Sequence, residues 1–139
     1  MIQREVITDI ENIASIETEW DSLLSSCGQA SVCMTPGWFR AWWAGFGERG
    51  TLSIQIFRID GELVGLAPLQ MINTRVRGVR LRTLKSLTNG HSPSWDFLMK
   101  PSLPLERKLE MLRSLSGERK AQLVLFDRVP ETSALNNLT

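Results

Sequence analysis

Histidine is nearly absent from this 139-residue chain and cysteine is scarce, with one His and two Cys. That inventory cannot fill a four-ligand zinc site without carboxylates, and Cys27 and Cys33 are separated by five residues rather than by the short spacer of a metal knuckle. The thiols read as buried or reduced side chains, and no metal site is expected. Long apolar runs are also missing. MIQREVITDIEN holds no signal-peptide core, and no stretch approaches the roughly 20 residues that span a bilayer. Excess charge of one sign is lacking too, since the net charge of +1 gives no overall field for a nucleic acid or a membrane. The chain is therefore expected to be cytoplasmic, with no nucleic-acid and no membrane partner. Internal repeats and low-complexity linkers are absent as well.

Glycine-rich phosphate loops are missing. Arg75-Val76-Arg77-Gly78-Val79-Arg80 faintly resembles one but has a single glycine between two strands, and it reads as a turn. Gly90-His91-Ser92-Pro93-Ser94 approaches the G-x-S-x-G nucleophile elbow but ends in Ser and leads into a strand. A triad also needs a histidine after its acid, and His91 stands alone, so no catalytic residue can be assigned.

What is present describes one globular domain. A composition 42% hydrophobic and 22% charged supports a packed core. Residues 2–7 read as a strand. Thr8 and Glu11 have capping-box spacing before a helical stripe of Ile13, Ile16, Trp20, Leu23 and Leu24 that ends near Gly28. Thr35-Pro36 opens a second helix carrying Trp38, Phe39, Trp42, Trp43 and Phe46, with Gly47 as its stop. Strands follow. The first spans Leu52 to Ile59 and Asp60-Gly61 forms its hairpin turn. The second spans Leu63 to Ile72, and Pro68 marks it as an edge or a bulge. The third runs from Val79 to Leu87, with a bulge between Leu81 and Leu84. Trp95 to Met99 reads as a short strand. A third helix opens at Pro101 to Pro104, with Leu105, Leu109, Leu112 and Leu115 inward and Gly117 at its end. Leu123 to Phe126 reads as a buried strand, and Glu131 to Leu138 as the first turns of another helix.

Five large aromatics on about three turns exceed one helical face, so part of the second helix should face a groove or a partner. Arg75, Arg77, Arg80, Arg82 and Lys85 form a basic hairpin. It is either an anion contact or a solvated face that guards a sheet edge. Asp96, within the apolar run 95–99, is on an outer face or functional.

Taken together, several segments resemble one family. They are Trp20-Asp21-Ser22-Leu23-Leu24, Thr35-Pro36-Gly37-Trp38-Phe39-Arg40-Ala41-Trp42-Trp43 and Asp60-Gly61-Glu62-Leu63-Val64-Gly65-Leu66-Ala67-Pro68-Leu69. Trp95-Asp96-Phe97-Leu98 and Phe126-Asp127-Arg128-Val129-Pro130-Glu131-Thr132-Ser133 complete the set. Their order is similar to the N-terminal part of GNAT-like acetyltransferases of the CelD/BcsL group, linked to cellulose biosynthesis. The resemblance implies an α+β, layered fold with a mostly antiparallel mixed sheet flanked by helices and incomplete at the C-terminus. It implies that residues 1–139 are a single N-terminal domain lacking the acyl-CoA-binding half. No cofactor would bind this chain alone, although acetyl-CoA or another acyl-CoA serves the full-length family. The expected function is N- or O-acyl transfer to an amine or hydroxyl, completed by the missing half or a second chain. Trp42, His91 and Asp96 are the candidate substrate-binding residues. A different class of function remains open, in which the Trp-rich helix and an open sheet edge form a non-catalytic interaction module that binds a partner or a second copy of itself as a homodimer.

Overall fold

The computed structural model describes residues 2–27, 32–47, 50–89, 92, 94–117, 121–130 and 133–137. His91, the Gly90 and Pro93 positions of the serine motif, and Gly28 lie outside the described residues.

The chain begins with β1 (Ile2–Ile7) and a 3-10 helix over Ile10–Ile16, followed by α1 (Glu17–Ser26) and α2 (Pro36–Phe46). The sequence suggested Thr8 as the first cap, but Asp9 fills that role. Its Oδ1 accepts the Glu11 N–H at 3.0 Å. A carboxylate one residue closer reaches the free donor while the backbone remains extended. At α2 the cap is the one the sequence implied. Thr35 Oγ1 accepts from Trp38 N at 3.2 Å, Pro36 occupies the first turn, and Gly47 ends the helix.

Strands β2 (Thr51–Ile59), β3 (Glu62–Val76) and β4 (Val79–Ser86) form an antiparallel meander, and β1 pairs with β2. Both hairpin turns have two positive-φ residues. Asp60 and Gly61 have φ of 50° and 82°, and Arg77 and Gly78 have 51° and 80°. Turns of that hand match the twist of the strands they join. After β4 the chain makes an excursion and returns as β5 (Leu98–Met99), which again pairs antiparallel with β3. Helix α3 (Leu105–Ser116) then leads to β6 (Leu123–Leu125), parallel to β4. The sheet order is β1-β2-β3-β4-β6, with β5 beside β3.

The long strand β3 therefore has two successive partners on one flank. Residues 69–76 meet β4, and Gly65 and Leu66 meet β5. Pro68 lies at the junction. Its carbonyl accepts Leu87 N at 3.1 Å and Trp95 Nε1 at 2.8 Å. A residue's N and O project to the same flank of a strand, so the missing Pro68 donor faces the gap between the two partners. The proline thus marks neither a sheet edge nor a bulge. β3 is internal, and its register shift lies between Phe57 and Arg58 of β2.

Both faces of the central strands are buried. Ile54, Ile56 and Leu66 are at most 1% exposed on one face, as are Phe57, Leu69 and Leu84 on the other. This double burial removes the alternation on which the expected bulge at Leu81–Leu84 rested. The β3–β4 register is continuous there. Helix α3 lies against Gly65 and Phe57, where a Cβ added to Gly65 would fall 2.5 Å from Met111 Sδ. Its buried side is centred on Met111 and Leu115, and Leu105, expected inward, is exposed. β6 is an edge strand only partly buried, with Leu125 exposed, rather than the core strand expected. The segment expected to open a fourth helix holds a 3-10 turn at Ala134–Asn137.

Candidate functional site

The excursion between β4 and β5 is anchored by aromatic packing. Trp95 is fully buried, stacks on Phe126 with centroids 5.2 Å apart, and donates its backbone N–H to Arg128 O at 2.9 Å. Such a ring pair contributes about 0.5–1.5 kcal/mol beyond its buried area. Asp96 follows and is half-buried. Its backbone N–H points to Met34 Sδ, and its Oδ1 accepts the Ser133 hydroxyl at 2.5 Å. Burial pushes the Asp96 carboxyl up, against the lowering effect of hydrogen bonds from Ser133 and from the Phe97 backbone. Ser133 is itself buried, and its Oγ also accepts Leu135 N. The pair clasps the excursion to the C-terminal segment.

Helix α2 presents the second candidate. Phe39 and Trp42 are buried, and Trp38 is half-buried. Trp38, Ala41, Trp42 and Phe46 line an apolar groove of about 180 Å³. The Trp42 Nε1–H is buried without a hydrogen-bond partner among the described residues. A chain of contacts joins this helix to Asp96. Phe39 lies 5.7 Å from the Trp20 ring, Trp20 Nε1 donates to Met34 O, and Met34 Sδ meets Asp96 N.

A larger groove of about 280 Å³ escaped the sequence reading. It is lined by Thr18, Glu19, Ser22 and Ser26 of α1 together with Glu62, Leu63 and Lys100. Lys100 pairs with Glu62, and Arg58 grips Glu19 through two hydrogen bonds of 2.6 and 3.0 Å. That grip holds the Glu19 carboxyl below its ordinary range, so it is a fixed charge rather than a base. The signal was available, because Thr18, Ser22 and Ser26 recur at four-residue steps on the polar side of the α1 stripe. Cys27 and Cys33 are not joined by a disulfide. Burial pushes the Cys27 thiol up, away from thiolate chemistry.

No family model matches this chain, and no curated protein does. Among solved structures, the chain is similar to a ribosomal-protein-alanine N-acetyltransferase from Brucella melitensis biovar Abortus 2308. Identity is 10%, with 94% of this chain and 82% of that chain covered, and a TM-score of 0.50. A GNAT family acetyltransferase from Staphylococcus aureus subsp. aureus USA300_TCH1516 also aligns at 10% identity, covering 94% of this chain and 89% of that one, with a TM-score of 0.48. The fold, a six-stranded mixed sheet flanked by helices, is that of GNAT acetyltransferases.

That fold raises the question of acyl-CoA. Pyrophosphates are held by free backbone N–H groups at a helix N-terminus. Before α3, Pro101 and Pro104 remove two donors, and the N–H groups of Arg107 and Lys108 both go to Pro104 O. Glu106 adds a carboxylate to the first turn, where an anion would be repelled. β6 pairs with β4 over Thr83–Lys85, and Trp95 of the excursion stacks on Phe126 just after β6. These residues do not fit a CoA pyrophosphate.

Proposed function

We propose that this chain is the acceptor-side domain of an acyltransferase, of the kind found N-terminally in CelD/BcsL proteins. The acyl-CoA site would be supplied by a C-terminal half or by a second chain. The observation that carries this reading is a GNAT-type sheet whose α3 N-terminus has a donor set unsuited to pyrophosphate. Chemically, the chain contributes binding surface. Trp38, Trp42 and Phe46 offer an apolar wall, and the Thr18–Ser22–Ser26 groove offers hydroxyls and paired charges to a polar acceptor. Asp96 acts on this surface through position, because its carboxyl is engaged by Ser133. The edge strand β6, with no strand on its outer flank among the described residues and Leu125 exposed, provides the seam onto which another half can add a strand.

Calorimetric titration with acetyl-CoA tests this reading. The chain alone should give no heat, and heat should appear once a chain that carries the acyl-CoA site is added. Saturable binding to the chain alone would sink it.

The open β6 edge also favours a second reading, a non-catalytic module that associates through this strand. Light scattering over a concentration series separates the two, since a strict monomer counts against the module.

A further inference from the structure

The β3–β4 hairpin extends beyond its neighbours. β2 begins at Thr51 opposite Met71, and β6 begins at Leu123 opposite Thr83. From Ile72 to Arg82 the ribbon thus has no strand on either flank among the described residues. Its two faces differ. The cross-strand pairs Arg75↔Arg80 and Asn73↔Arg82 put three guanidinium groups on one face. The pairs Val76↔Val79 and Thr74↔Leu81 occupy the other, where the Thr74 and Thr83 hydroxyls lie 2.6 Å apart. Val76 is 44% and Val79 59% exposed at the tip. Residues 75–85 carry five cations and no carboxylate, and the described ion pairs include none of these five. The net charge of +1 conceals this segregation, because the remainder of the chain is net negative.

Two features of the ribbon run against its own stability. Arg75 and Arg80 are directly opposed like charges, and Arg77 adopts the left-handed region that asparagine or glycine enters more readily. Gly50 lies against Gln70, Met71 and Ile72 at the ribbon's root.

We infer that this hairpin docks on an anionic lipid surface. The valines enter the headgroup boundary, and the arginines bind lipid phosphates and carboxylates. An amphipathic element with a basic polar face and an apolar opposite face is suited to that interface. Its arginine stems can lie along apolar surface while the charged heads remain in the polar layer. The acidic remainder of the chain is repelled by the same surface, which orients the hairpin towards it. Nucleic acid fits less well, because the ribbon from 72 to 82 holds no aromatic ring for a base to stack on.

The test is co-sedimentation of the full chain with phosphatidylcholine vesicles, with and without phosphatidylserine. Binding is expected only with phosphatidylserine and is weakened as salt rises from about 0.1 M to about 1 M. The double variants Arg80→Glu/Arg82→Glu and Val76→Ser/Val79→Ser should each lower the bound fraction at least about tenfold. Circular dichroism checks that both remain folded. In V79W, tryptophan emission should shift to the blue on vesicles. Binding that ignores phosphatidylserine, an unshifted V79W signal, or full binding by the arginine variant overturns the inference. So does duplex DNA that strips the protein from vesicles, which would reassign the hairpin to nucleic acid.

Discussion

The indole N–H of Trp20 donates to the carbonyl oxygen of Met34 across 2.8 Å, tying α1 to the turn that leads into α2. Trp95 makes a similar bond to Pro68, whereas the Trp42 donor is buried with no partner among the described residues. These three indoles should respond differently to replacement by phenylalanine. Trp20→Phe strands the Met34 carbonyl and loses packing, and should cost about 1–3 kcal/mol. After Trp95→Phe the Pro68 carbonyl keeps its bond from Leu87 N, so the loss there is chiefly of packing and one of two hydrogen bonds. Trp42→Phe removes an unpaired donor along with some apolar area and should be close to neutral. Urea midpoints for the three variants check the ranking. A Trp42→Phe loss as large as that of Trp20→Phe would mean that the Trp42 donor has an acceptor in solution.

Asp96 and Glu19 should titrate in opposite senses. Burial holds the folded Asp96 above the ordinary aspartate range, so the folded state keeps a proton that the unfolded chain releases. Stability therefore falls as pH rises from the unfolded value through the raised one. The hydrogen bond from Arg58 holds Glu19 low, so its contribution is present above the unfolded value and is lost as pH falls through the lowered one. The second effect is the smaller, because the Glu19 side chain is 40% exposed. Asp96→Asn should flatten the loss on the higher-pH side, and Glu19→Gln the loss on the acid side. Identical midpoint profiles for Asp96→Asn and the parent would remove Asp96 from this account.

Gly65 is kept small by Met111. Gly65→Ala would force the Met111 thioether aside and should destabilise by about 1–3 kcal/mol, the usual cost of overpacking. Met111→Ala in the same chain should restore part of that loss. A double-mutant cycle with no coupling between the two positions would show that the clash is relieved elsewhere.

Arg77 carries a left-handed backbone at φ 51° in front of Gly78. Arg77→Asn creates the Asn-Gly pair that such turns prefer and should raise stability by a few tenths of a kcal/mol to about 1 kcal/mol. Thermal unfolding measures it, and a lowered Tm would count against strain at this residue.

Local signals in the sequence were read correctly where one residue determines one geometry. Thr35 and Pro36 set the start of α2, and Asp60-Gly61 sets the first hairpin turn. Two of the misreadings come from tertiary packing that a local period does not encode. Leu81 and Leu84 lost their alternation because both sheet faces are covered. Leu105 matched the helical period, yet the inner face of α3 is set by where Met111 meets Gly65. The apolar groove that Trp38, Trp42 and Phe46 line was legible as more aromatics than a single helical face can bury. The engagement of Asp96 by Ser133 was not legible, because a contact across 37 positions of sequence leaves no local pattern.

The two-residue turns on either side of β3 have a kinetic consequence. β2, β3 and β4 can zip together through short loops, whereas β1 must close a loop that contains both α1 and α2 before it reaches β2. The entropy of closing that loop falls late in folding. Substitutions along β1 should therefore accelerate unfolding while leaving the refolding rate nearly unchanged, and substitutions in the meander should slow refolding. Residues 2–7 would then be the last part of the sheet to assemble and the first to leave it.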